Sequence, residues 1–324
     1  MRRISPFELL AICFLSAAVT ACGTGGDGGA AEADEVAAVA ELDADRMLEH
    51  VRELASDRYE GRLTGTPAAE RTRRYLTRHL DKSGAVPCMP SRPQPDSLSA
   101  WEHMASAGED TDAALVNILA VVPGEGPRIV VSAHYDHLGV RGGEVYNGAD
   151  DNASGTALLL ELARYVAGNP LGHEVVFAFF DYEEGGLRGS RAFVEAPCGE
   201  GEIVLNINLD MVSRSEEGVL FASGTRHWPE LRPVLESVDV PDGMHLEYGH
   251  DEPGTGSDDW TFASDHAPFH RAGIPFVYFG VEDHDGYHDP SDDFEHITPA
   301  FYRAVGAFIP RVLEAFDSEF DAAQ

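Results

Sequence analysis

A three-layer α/β/α sandwich with a mostly parallel central sheet is the fold this sequence predicts, and three observations carry the prediction. Five short runs, at 115–122, 128–133, 174–180, 203–209 and 276–279, are nearly continuous in apolar residues, as strands covered on both faces are. The segments around them space their apolar residues at helical intervals. Beyond residue 42 there is no internal repeat and no linker, so a single domain, 42–324, is the economical reading.

Taken in order, the chain opens with Arg2 and Arg3 ahead of an apolar run at 9–19. That run is long enough for a signal-peptide core and shorter than the ~20 residues a bilayer span requires. It ends in Val19-Thr20-Ala21-Cys22, which resembles the lipobox of bacterial lipoproteins, where cleavage precedes a cysteine that then receives lipid. The expectation is a signal peptide at 1–21 and lipidation at Cys22, which puts the protein, exported, in the cell envelope, lipid-anchored to a bacterial membrane. The other reading is an ordinary signal peptide cut near Ala21. Glycines at 23–29 and an Ala/Glu/Asp-rich stretch to residue 40 make 22–41 a flexible, acidic tether.

Helices are expected at 46–54 and 68–80, separated by the breaker Thr64-Gly65-Thr66-Pro67. Residues 91–112 are polar and without period, and read as a surface excursion. Strands at 115–122 and 128–133 follow, then a helix at 155–166, a strand at 174–180 and a short helix at 189–194. A strand at 203–209, a short strand at 219–222, a helix at 230–237, a strand at 276–279 and a closing helix at 299–316 complete the reading.

The net charge is −33, from 56 acidic and 23 basic side chains, with Lys82 the sole lysine. Such a surface repels phosphate backbones and excludes nucleic acid as a partner; contact with a membrane is left to the lipid anchor alone. Cys13 lies in the leader and Cys22 at the lipobox, so Cys88 and Cys198 remain. They could pair in an oxidising envelope, but sequence alone leaves their separation open.

Chemistry concentrates where the apolar runs end. The first of three such runs leads into His134-Tyr135-Asp136, the next into Asp181-Tyr182-Glu183-Glu184, and the third into Asp210. In an open α/β sheet, ligands bind beyond the carboxyl ends of the strands, so three strands deliver polar groups to one rim. Asp150-Asp151 in a glycine-flanked loop and Tyr287-His288 near the end join the set. Singly, each is weak: in so acidic a chain, a carboxylate pair is usually solvated surface, and a lone histidine usually has a structural partner. Together, histidines and carboxylates without cysteine suit zinc in a reactive site rather than a thiolate cage.

The motifs HYDHLG at 134–139, GADDNASG at 148–155, FDYEEGGLRGS at 180–190, NLDMV at 208–212 and YHDPSDD at 287–293 resemble those of the di-zinc aminopeptidase family, metallopeptidase family twenty-eight of clan MH. EGRLTGT at 60–66 and SDHAPF at 264–269 are similar to further family segments. The resemblance implies two Zn2+ ions bridged by Asp151, one completed by His134 and Asp210, the other by Glu184 and His288. It implies that the Asp136 carboxylate receives the far N–H of His134, and that Glu183 is the general base, taking a proton from water and passing it to the leaving amine. Tyr287 matches a donor to the tetrahedral oxyanion. His137, His266 and His284 match no ligand position and are expected as outer-shell or surface groups, and Asp150 as a solvated or structural neighbour.

The implied activity is an aminopeptidase acting on peptides with a free N-terminus. A carboxypeptidase needs basic residues for a free carboxylate, and sequence does not place them. A glutaminyl cyclase uses one zinc, whereas all five ligands and the base are present here. The related di-zinc peptidases with an inserted dimerisation domain need a longer segment between Glu184 and His288. A non-catalytic binding lipoprotein would be expected to have lost ligands, and none is missing.

Overall fold

The computed structural model describes residues 41–105 and 115–322. The expected signal peptide, Cys22 and all but the last residue of the expected tether lie outside the described residues, as do residues 106–114 of the polar excursion. The described residues belong to one compact unit.

Helix α1, Ala44–Leu54, begins where the Asp43 side chain accepts the Arg46 N–H, and it buries Met47, Leu48, Val51 and Leu54 along one stripe. Helix α2, Pro67–Leu80, starts at the expected breaker: Thr66 caps the Ala69 N–H and Pro67 occupies the first turn, where a missing N–H costs nothing. Strands β1 (Val86–Pro87) and β2 (Glu102–Ala105) follow, then β3 (Leu115–Val122) and β4 (Gly126–His134). A small hairpin, β5 (Gly139–Arg141) and β6 (Glu144–Tyr146), leads to α3 (Gly155–Gly168) and β7 (His173–Phe180). The rest runs α4 (Arg188–Glu195), β8 (Ile203–Leu209), β9 (Val219–Ser223), α5 (Leu231–Glu236), β10 (His245–Tyr248), α6 (His266–Arg271), β11 (Phe276–Gly280) and α7 (Pro299–Ala322).

The nine-stranded sheet has the order β1-β3-β7-β4-β8-β11-β9-β10, with β2 also on β3. Its four central strands, β7, β4, β8 and β11, are mutually parallel. The margins differ from the expected mostly parallel sheet: β3 runs antiparallel to β7, and β9 antiparallel to β11. The sheet is therefore mixed. β2 is a second difference, because the polar segment read as excursion donates an edge strand, which alternates burial and needs no apolar run.

Period-two alternation makes the three layers. Val175, Phe177 and Phe179 of β7 face the cluster that contains Met47 of α1, Leu76 of α2, Leu158 of α3 and Phe308 of α7. Val176, Ala178 and Phe180 face the smaller cluster with Phe193 of α4 and Phe269 of α6. On that second face β8 presents amides instead: Asn206 donates to the Ser132 hydroxyl, which donates to Asn208, which donates to Ser264. Cys88 and Cys198 form a disulfide with Cα atoms 5.8 Å apart, which settles the pairing. Among the described residues no helix is long and apolar enough to cross a membrane.

Candidate metal centre

Parallel β4, β7 and β8 end at one rim. β4 ends on His134, Asp210 follows β8 directly, and Glu183 and Glu184 stand just past Phe180. The Asp150-Asp151 loop enters from the start of α3 and His288 from the loop before α7. His134, Asp151, Glu183, Glu184, Asp210, Tyr287 and His288 all line one cavity of about 570 Å3, with Leu187, Trp260, Phe262 and Tyr278 among its other walls.

The separations of the nitrogen and oxygen atoms decide what could sit between them. His134 Nε2 is 3.4 Å from Asp151 Oδ1 and 3.2 Å from Asp210 Oδ1. His288 Nε2 is 3.2 Å from Asp151 Oδ2 and 3.3 Å from Glu184 Oε2. Ligand atoms about 2.0–2.2 Å from a tetrahedral zinc ion stand roughly 3.3–3.6 Å from one another. Both sets fit that spacing, and Asp151 contributes one oxygen to each. The residues present therefore fit the zinc that the motifs imply.

Electrostatics point the same way. Burial opposes charge on His134, but the Asp210 and Glu183 carboxylates outweigh it and raise its proton affinity well above the ordinary histidine value. Hydrogen bonds to Asp151 and Glu184 push His288 up to about 10. Burial works against ionising Asp151, yet His137, His134 and His288 hold it well below the usual carboxylate range. Protons on these histidines and a divalent cation compete for the same lone pairs.

Asp136 differs in detail from the expectation. His134 Nδ1 lies 3.1 Å from the Asp136 main-chain carbonyl and 3.7 Å from its carboxylate. The carboxylate instead accepts the Glu183 N–H at 3.0 Å. A carbonyl oxygen fixes the tautomer as a carboxylate would, leaving the Nε2 lone pair facing Asp151 and Asp210. Glu183 is held inside by Asp136 in this way. Burial raises its proton affinity well above that of an ordinary glutamate, with Asp210, Asp265 and Glu184 adding and His134 opposing. Tyr287 stacks on His288 at 3.9 Å between ring centroids, and burial pushes its phenol far up, so the hydroxyl stays a donor.

Of the spare groups, His137 is not on the surface: it is fully buried, with Nδ1 2.6 Å from Glu184 Oε1 and 3.7 Å from Asp151 Oδ2. The short contact is poorly aligned, so neither ring nitrogen nor Oε1 has a well-directed hydrogen bond among the described residues. At 2.6 Å the pair is too close for two ligands of one tetrahedral ion, which makes His137 a support for Glu184. His284 reaches Asp150 Oδ2 at 3.2 Å, and Asp150 is fully buried, accepting the N–H and hydroxyl of Ser213, so it is structural and not solvated. His266 is buried, with Nε2 2.8 Å from the Trp260 carbonyl.

Two residues of the quoted motifs acquire roles that residue type alone does not signal. Asp292 of YHDPSDD accepts the N–H groups of Asp150 and Asp151. Arg62 of EGRLTGT is fully buried beneath the loop, donating to the carbonyls of Tyr135, Leu54, Asn147 and Gly148. Burial lowers it to about 10, with Asp151 and Asp292 pulling it back up, so it stays a cation at neutral pH under the acidic cluster. Gly148, at φ +55°, could not be replaced, because a Cβ would stand 2.1 Å from the Asp151 carbonyl and 2.5 Å from the His137 ring.

Comparison with known proteins agrees with the motifs. Residues 117–313 match the family model described as Peptidase family M28. Aminopeptidase YwaD of Bacillus subtilis is 33% identical over 208 residues, covering 59% of this chain and 42% of that protein. A probable leucine aminopeptidase of Trichophyton verrucosum is 32% identical over 199 residues, covering 57% of this chain and 53% of its own. The chain thus spans about half the length of the curated relatives it matches. Among solved structures, a zinc aminopeptidase from Bacillus subtilis superposes with a TM-score of 0.62 at 20% identity, over 84% of this chain and 95% of that one. A glutaminyl cyclase from Porphyromonas gingivalis superposes with a TM-score of 0.66 at 23% identity, over 85% and 99%. At these identities the two structures speak to the shared fold.

Proposed function

The chain belongs to peptidase family M28, and from that premise we propose that it is a di-zinc aminopeptidase acting on peptides with a free N-terminus. The observation that carries the reading is the pair of ligand sets, spaced at 3.2–3.4 Å and sharing Asp151. His134, Asp151 and Asp210 would hold one Zn2+ ion, and Asp151, Glu184 and His288 the other. Bound there, zinc supplies Lewis acidity that makes water a nucleophile near neutral pH and polarises a carbonyl.

The protein's own groups do the rest. Glu183, beside the proposed ligands but not paired to either histidine, accepts the proton of the attacking water and returns it to the leaving amine. Asp136 joins base to ligand, its carboxylate on the Glu183 amide and its carbonyl on His134. The Tyr287 hydroxyl donates to the oxyanion that forms at the scissile carbon. The names of the curated relatives favour the aminopeptidase direction.

In this reading 42–324 is the single catalytic domain, and the lipid on Cys22 ties it to the cell envelope. Cys22→Ser should move the protein to the soluble fraction, and retention at the membrane would remove the lipobox reading. The activity is tested with N-terminally free, N-blocked and C-blocked peptides, products read by mass. Stepwise loss of N-terminal residues from unblocked peptides supports the proposal. C-terminal trimming of N-blocked peptides would replace it with a carboxypeptidase, and ring closure of N-terminal glutamine with a cyclase. No turnover, together with no zinc after gentle purification, would leave a binding lipoprotein.

A further inference from the structure

We propose that Arg191 and Arg271 form a carboxylate-binding subsite in the cavity, so that the preferred substrates are peptides carrying a carboxylate close to the scissile bond. This rests on reading the cavity as an exopeptidase site. Both arginines line the cavity that also holds His134, Glu183 and Asp210. Arg191 lies on α4 and Arg271 ends α6; the Phe193 and Phe269 rings, 5.9 Å apart, pack these two helices side by side on the same face of the sheet.

Neither guanidinium has a carboxylate within ion-pair distance among the described residues, in a chain where acidic side chains outnumber basic ones 56 to 23. Among the described residues the Arg191 guanidinium reaches only the Gly186 carbonyl, at 3.5 Å. Arg271 rests over the half-exposed ring of Phe262, its central carbon 4.8 Å from the centroid, an aromatic platform that holds the cation without neutralising it. A net charge of −33 repels anions at range, so a ligand carboxylate is retained only where local cations overcome that field. A guanidinium fork matches carboxylate geometry in a way an ammonium does not. The same cavity is also lined by Glu183, Glu184, Asp210 and Asp283.

The carboxylate has two sources, a free C-terminus or an acidic side chain, and matched peptide pairs separate them. The pairs are Leu-Gly against Leu-Gly-amide, Leu-Glu-amide against Leu-Gln-amide, and Glu-Gly-amide against Gln-Gly-amide, assayed with the zinc-loaded full chain. At least one pair should favour the carboxylate in kcat/KM by about 10-fold or more, the size of a hydrogen bond to a charged group, with most of the difference in KM. In the Arg191→Gln/Arg271→Gln double variant that ratio should collapse toward one, while the surface control Arg232→Gln keeps it. Both arginines are exposed, so the double variant should melt as the wild type does. Ratios near one in all three pairs, with the amides turned over, would overturn the subsite and leave the aminopeptidase standing. A double variant that keeps the preference would overturn the assignment to these arginines. Failure to cleave any peptide would overturn the exopeptidase reading and this one with it.

Discussion

Replacing Glu183 and Glu184 one at a time by glutamine separates catalysis from metal binding. Glutamine keeps size and one carbonyl oxygen but removes the charge and the proton acceptor. Glu184 stands 3.3 Å from His288 through one oxygen, which faces the proposed second ion site, and 2.6 Å from the supporting His137 through the other. Among the described residues Glu183 has no histidine partner at ion-pair distance, and its main chain is anchored independently through its N–H to Asp136. Glu183→Gln should therefore lower kcat by ~10²–10⁴-fold, or about 2.7–5.4 kcal/mol of transition-state stabilisation, with zinc content nearly unchanged. Glu184→Gln should lower zinc affinity by more than the ~10–100-fold seen for outer-shell partners, because a ligand's charge is removed outright. Zinc per chain is measured by elemental analysis after equilibration with a buffered zinc series, and kcat on an unblocked peptide at saturating zinc. Loss of zinc in Glu183→Gln with retention in Glu184→Gln would mean the two roles are reversed. Full activity in Glu183→Gln would refute the base.

Three further outcomes follow from the same geometry. His137→Ala should weaken zinc binding by ~10–100-fold through the loss of support to Glu184, and an unchanged affinity in the buffered series would show that the histidine only fills space. Removing the Cys88–Cys198 disulfide, by the double alanine variant, opens a loop of sequence separation 110, which the chain-entropy relation puts at about 4.8 kcal/mol; equal unfolding midpoints in denaturant would contradict it. Burial lowers His266 to about 3, so between there and the ordinary value near 6.5 the unfolded chain binds a proton that the folded chain refuses. Its contribution to stability is present above pH 6.5 and is lost as pH falls, by about 1.4 kcal/mol per unit; His266→Gln should flatten that slope, and an unaltered slope would argue against it.

The residues that meet at the rim were legible because strand ends are local features. An apolar run that stops at His134, at Asp181 or at Asp210 announces both the strand and the group it presents, with no knowledge of what lies across the sheet. The same reading erred where a partner decided the outcome. β2 is polar and alternates burial, so only its pairing with β3 reveals a strand. For His137, expected as an outer-shell or surface group, the structure decides between the two, because the loop of Asp151 packs against its ring and buries it.

Sequence by itself determined the α/β class, the central strands, the family and the residues that converge on the rim, because hydrophobic period and motif are written within a few neighbouring residues. Tertiary structure alone decided the antiparallel margins, the pairing of Cys88 with Cys198, the buried cation of Arg62 under the loop of Asp151, and the presence of Arg191 and Arg271 in the cavity wall. Most of these join residues some 60 to 110 positions apart. A contact of that range leaves no periodic trace in either segment, since it is fixed by where the layers meet and not by what either segment prefers alone.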